Sequence, residues 1–172
     1  MNKILILPGY SPHNKDWAEE VRANLMGKTD DMVIVHEWFH WKEGSFSLVK
    51  ELDRLVTEIG TDSVEIIAKS VGVAVAMELI PRISSQVVKV IFCGIASVEG
   101  PERQESLKKV LNIVPVENIL CIQNEYDKFV VYKDAEKFYH SVNPDIKLIS
   151  KPRSDHDYPF FEDFQEFLYP KQ

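Results

Sequence analysis

Short runs of Ile, Leu and Val recur along this chain, each followed by a stretch whose apolar residues have helical spacing. The runs are Lys3-Ile4-Leu5-Ile6-Leu7, Met32-Val33-Ile34-Val35-His36, Val64-Glu65-Ile66-Ile67-Ala68, residues 87–93, residues 118–123 and the shorter Ile146-Lys147-Leu148-Ile149. Between them, Trp17, Val21 and Leu25 recur every four residues, and Leu48, Leu52, Leu55 and Ile59 form a second stripe. Helices are expected over residues 14–27, over 47–59, from Ser70 to near Pro81, over 101–112, around Val131, Ala135 and Phe138, and around Phe160, Phe164 and Phe167. Strands that are apolar without strict alternation belong in a sheet covered on both faces. Strands that alternate with helices pair in parallel through right-handed crossovers. The pattern therefore predicts an α/β three-layer sandwich with a mostly or fully parallel sheet of about six strands.

Composition narrows the partners. Twenty Lys and Arg against 27 Asp and Glu give a formal charge of -7 over 172 residues. An acidic protein repels a polyanion before contact, so no nucleic-acid partner is expected. The basic pairs Lys108-Lys109 and Lys151 with Arg153 read as solvated faces. No apolar run is long enough to cross a bilayer. The opening residues 1–9 also lack the length and small-residue cleavage site of a signal peptide, so a cytoplasmic location is expected. Cys93 and Cys121 lie inside apolar runs and read as small buried hydrophobes. With no repeat, linker or low-complexity tract, residues 1–172 are expected to form a single domain.

The segment from Ile66 to Ala74 carries the strongest functional signal. A strand runs almost directly into an apolar helix, a turn that exposes one side chain, Ser70, above the carboxyl edge of the sheet. Close approach of the two backbones demands small residues on either side, and Ala68 and Gly72 supply them. A serine at such a junction also reads as a helix N-cap. Ala68-Lys69-Ser70-Val71-Gly72 resembles the nucleophile elbow of the α/β-hydrolase superfamily, usually Gly-x-Ser-x-Gly, with alanine replacing the first glycine. The resemblance implies a core of the small lidless serine-hydrolase type, with strand order 2-1-3-4-5-6, and catalytic residues in the order serine, acid, histidine. Asp127 and His156 follow Ser70 in that order, each just after a later strand. Asp127 also fits the cap of a helix starting at Lys128, and Glu125 is the alternative acid. His156 alone among the five histidines comes after the acid on a loop following a strand.

These residue types suit acyl transfer. A serine hydroxyl needs a base within hydrogen-bond reach, and the base needs an orienting group. The expected function is a serine hydrolase that cleaves a carboxylic ester or similar small acyl substrate; a thioesterase or amidase would use the same residues. Charge on the carbonyl oxygen would be met by the backbone N–H groups of Val71 and Tyr10, with Gly9 permitting a tight backbone, although Pro8-Gly9 also fits an ordinary turn. No cofactor and no metal are expected, because His36 and His40 lack the His-Glu-x-x-His pattern. The aromatic segment from Trp38 to Trp41 could wall a substrate pocket, bind a protein partner or pack over the sheet edge. The competing functional class is a non-catalytic protein- or ligand-binding module on the same fold.

Overall fold

Each apolar run becomes a strand, and the four central ones bury residues on both faces. A computed structural model describes residues 2–170. The strands are β1 (Asn2–Leu7), β2 (Met32–Val35), β3 (Ser63–Lys69), β4 (Val87–Cys93), β5 (Ile119–Asn124) and β6 (Lys147–Lys151). The helices between and after them are α1 (Asn14–Leu25), α2 (Leu48–Ile59), α3 (Val71–Leu79), α4 (Pro101–Leu111), α5 (Tyr132–Val142) and α6 (Phe161–Leu168). Every strand pairing is parallel, and the order is β2-β1-β3-β4-β5-β6, as expected.

Successive residues of a strand point to opposite faces, and two cores result. Leu5, Leu7, Ile66, Ala68, Val90, Phe92 and Cys121 pack under α2, α3, α4 and α5. Ile4, Ile6, Ile67, Ile91, Leu120 and Ile122 pack under α1 and α6. The stripe expected on α2 is buried at Leu52, Leu55 and Ile59, while Leu48 stays exposed at its first residue. Helix α3 is apolar nearly all round, since it lies between the sheet and two other helices. It ends at Leu79, and Pro81 sits in the 3-10 turn Ile80–Ile83 that follows.

One contact sets the position of α3. A Cβ at Gly72 would lie 2.2 Å from the Leu7 carbonyl oxygen, so only glycine lets α3 start this close to the end of β1. Most boundaries shift by one or two residues from the sequence reading, and two of the differences have a visible cause. Helix α5 begins at Tyr132 rather than Lys128, because Asp127 Oδ1 accepts the Phe129 N–H at 2.8 Å and turns the chain first. Strand β6 runs on to Lys151, since Ser150 and Lys151 pair with Gln123 and Asn124 through the backbone and need no apolar side chain. Among the described residues, no helix is long and apolar enough to cross a membrane. Cys93 and Cys121 are buried free thiols, and burial pushes both well above the ordinary thiol range.

Candidate active site

With all strands parallel, their carboxyl ends share one edge, and the loops after β1, β3, β4, β5 and β6 meet there. Ser70 follows β3 directly. Its φ of 57° and ψ of -117° make it the one non-glycine residue with positive φ among those described. Such a conformation costs about 1–3 kcal/mol and persists only where its surroundings impose it. Here the Ser70 N–H donates to the Cys93 carbonyl at 3.1 Å, and the Ser70 carbonyl accepts from Val73 N–H at 3.0 Å. The hydroxyl does not cap α3, which excludes the capping role weighed for it. Ser70 instead lines a cavity of about 430 Å3 with Tyr10, Val71, Ile95, Arg103 and Phe129.

Asp127 and His156 are brought together across the loops after β5 and β6. His156 Nδ1 lies 2.6 Å from Asp127 Oδ2, while Glu125 is exposed to solvent. The same Oδ2 accepts the Tyr158 hydroxyl at 2.6 Å, and Oδ1 takes the Phe129 N–H, so the acid caps no helix. Burial pushes the Asp127 carboxyl up, but hydrogen bonds from His156, Tyr158 and Phe129 outweigh it and hold the pKa below the usual value. His156 Nε2 is buried and has no hydrogen-bond partner among the described residues, Ser70 included. The ring of Phe129 stands edge-on to His156 at 4.6 Å and is itself a wall of the cavity that holds Ser70. The loop carrying His156 is tied down from β5: Asn124 Nδ2 donates to the carbonyls of Asp155 at 3.0 Å and Asp157 at 2.8 Å.

The loop after β1 is held from the other side. Trp38 is fully buried, and its indole N–H donates to the carbonyls of Pro8 at 3.2 Å and Gly9 at 3.1 Å. His40 Nε2 at 2.8 Å and Trp41 Nε1 at 2.7 Å both reach the Tyr10 carbonyl. The Gly9–Tyr10 peptide bond is trans, so the Gly9 carbonyl turned toward Trp38 sends the Tyr10 N–H the opposite way. Among the described residues, neither the Tyr10 nor the Val71 N–H donates to a protein acceptor. The aromatic segment weighed as a pocket wall or partner surface thus turns its ring nitrogens inward, and Phe39 is its exposed member. Gly9 has its own constraint, since a Cβ there would lie 2.6 Å from Asn14 Oδ1. That oxygen accepts from Lys69 Nζ at 2.9 Å. Lys69 is 3% exposed, and burial lowers its pKa although Asp157 approaches to 3.6 Å.

Sequence reasoning gave no role to Tyr158, Asn124 or Arg103; it placed Lys69 in the elbow and weighed the segment from Trp38 to Trp41 as a pocket wall, without the hydrogen bonds that Lys69 and Trp38 make. Tyr158 stands two residues beyond His156 and Asn124 three before Asp127, which were their only sequence signals, and Arg103 reaches the site solely through the tertiary fold. No protein-family model and no curated protein matches the sequence. Solved structures do match over nearly the whole chain. The ydeN gene product of B. subtilis aligns with a TM-score of 0.71 at 12% identity, over 98% of this chain and 99% of that one. A predicted CIB-like hydrolase from Thermoplasma acidophilum gives 0.72 at 20% identity, over 97% and 84%. XC6422 of Xanthomonas campestris, described as an a/b serine hydrolase without lid, gives 0.67 at 12% identity, over 99% and 84%. Element order, sheet order and these likenesses agree on one architecture: the chain has the α/β-hydrolase fold.

Proposed function

We propose that this protein is a serine hydrolase in which Ser70 is the nucleophile, His156 the general base and Asp127 the group that orients it. The observation that carries the reading is the 2.6 Å contact between His156 Nδ1 and Asp127 Oδ2, which leaves Nε2 without a partner in the described chain. Nδ1–H directed to a carboxylate places the acceptor lone pair on Nε2, the tautomer a general base requires. In the proposed reaction Nε2 takes the Ser70 proton as the hydroxyl attacks a carbonyl carbon, then returns it to the leaving group. Water activated by the same imidazole resolves the acyl-enzyme. The oxyanion is met by the N–H groups of Val71 and Tyr10, which have no acceptor among the described residues, and the N-terminus of α3 adds its favourable dipole. Hydrogen bonds in resting active sites are often long and tighten only with substrate, so an unmade Ser70–His156 bond fits this mechanism.

That unmade bond is also what favours the second reading, a binding module on the same fold. Labelling with a fluorophosphonate, which reacts only with an activated serine, separates the two. The wild type is expected to label and Ser70→Ala and His156→Ala to remain unlabelled. Asp127→Asn is expected to label about 10^3–10^4-fold more slowly. Equal labelling of wild type and Ser70→Ala would move the nucleophile elsewhere, and no labelling of any form would leave the binding module.

A further inference from the structure

The chain contains five arginines. Four stand in ion pairs: Arg22 with Glu19, Arg54 with Glu51, Arg82 with Asp53 and Arg153 with Asp155. Arg103 is the exception. Among the described residues its guanidinium has neither an ion pair nor a hydrogen bond, and its Nε is buried without a partner. Shortage of anions does not explain this in a chain of charge -7, nor does distance along the sequence, since Glu99 and Glu102 flank it. Arg103 belongs to the first turn of α4, and its side chain forms part of the wall of the cavity that contains Ser70. The rest of that wall is mainly apolar, with Val73, Ala74, Ile95, Ala96 and Phe129. A buried Nε–H without a partner costs free energy unless an acceptor arrives to bind it.

Building on the serine-hydrolase reading, we infer that Arg103 is a specificity residue that binds a carboxylate, so that the preferred substrates are anionic acyl compounds. One end of such a substrate presents the scissile carbonyl to Ser70, an aliphatic linker lies against Ile95, Ala96 and Phe129, and a terminal carboxylate reaches Arg103. The planar fork of arginine matches a carboxylate through two parallel N–H donors. The negative field of the whole protein opposes anions in general, which leaves recognition to Arg103, the cation in the wall of this cavity.

The test has a binding arm that does not depend on turnover. The Ser70→Ala protein is titrated calorimetrically with monomethyl esters of the linear dicarboxylic acids from succinic to suberic, and with the matching dimethyl esters. At one chain length or more the monoanion is expected to bind about tenfold tighter or better than its neutral diester. Adding Arg103→Gln should bring that ratio to near one, and Arg103→Lys, which keeps the charge, should retain part of it. Equal affinities, a preference that survives Arg103→Gln, or no binding by either series overturns the inference. In the kinetic arm, wild-type kcat/KM for mono-4-nitrophenyl esters of the same acids is compared with that for their methyl diesters. Anion-selective binding without turnover or labelling would uphold the carboxylate site and remove the hydrolase reading. Turnover of both esters at equal efficiency would do the reverse.

Discussion

At the scale of single residues, Ser70 shows how a functional position departs from the local rules that govern its neighbours. Its backbone lies where glycine is at home and serine is not. Glycine weakens a helix interior relative to alanine, but at this positive-φ position ahead of α3 the ranking inverts. Ser70→Gly is expected to be more stable than Ser70→Ala by about 1 kcal/mol or more, as measured by urea unfolding, while neither variant labels. Equal stabilities would mean that the strain is absent. The three residues proposed for catalysis were legible in the sequence because each sits at punctuation: a strand end, a loop opening, a polar gap before a helix. Tyr158, which shares Asp127 Oδ2 with His156, was not, because its hydroxyl reads locally as one more buried aromatic before α6.

At the scale of elements, the order of strands and helices was legible because apolar period alone decides which segments are covered on two faces. The start of α5 was not, since a single side-chain hydrogen bond at Asp127 delays it by four residues relative to the helix expected at Lys128. The segment from Trp38 to Trp41 was the least legible. Its aromatic content showed burial or contact, but nothing local told that three ring nitrogens would hold three successive carbonyls of the loop after β1. The segment is fixed in turn by α2, where Glu51 accepts from Phe39 N–H at 2.7 Å and contacts His36 Nε2 at 2.9 Å. Trp38→Phe keeps a large ring against Phe46 and removes only the donor to Pro8 and Gly9. Release of those carbonyls lets the Tyr10 N–H rotate out of place. The expected result is a fall in kcat of about tenfold or more with KM little changed, and a parallel fall in the rate of fluorophosphonate labelling. A change confined to KM would make the segment a substrate wall instead.

At the scale of the whole molecule, the buried charge least related to the site is Glu65, in β3 on the face covered by α1 and α6. It is 5% exposed, and its Oε2 has no hydrogen-bond partner among the described residues. Its cross-strand neighbour in β4 is Lys89. That ammonium is engaged with the carbonyls of Phe167 at 3.0 Å and Leu168 at 2.7 Å, at the C-terminal end of α6. Burial therefore prevails over the attraction of Lys89 and raises the Glu65 pKa from the ordinary 4.5 to about 6. With the folded value above the unfolded one, the folded state holds the proton more tightly, so the contribution to stability is fully present below about pH 4.5 and lost as pH rises through about 6. At about 1.4 kcal/mol per pKa unit, the span corresponds to about 2 kcal/mol. Glu65→Gln cannot ionise and keeps the side-chain shape, so the stability of the variant minus that of the wild type should rise by about 2 kcal/mol between pH 4 and pH 7.5. Carboxylates whose pKa values are lowered, Asp127 among them, lose stability in the acid direction in both proteins and cancel from the difference. Urea unfolding at a series of pH values reads it directly. A difference that stays flat across the range would mean that Lys89 leaves α6 and neutralises Glu65, and the hold of β4 on the last helix would then be weaker than these contacts imply.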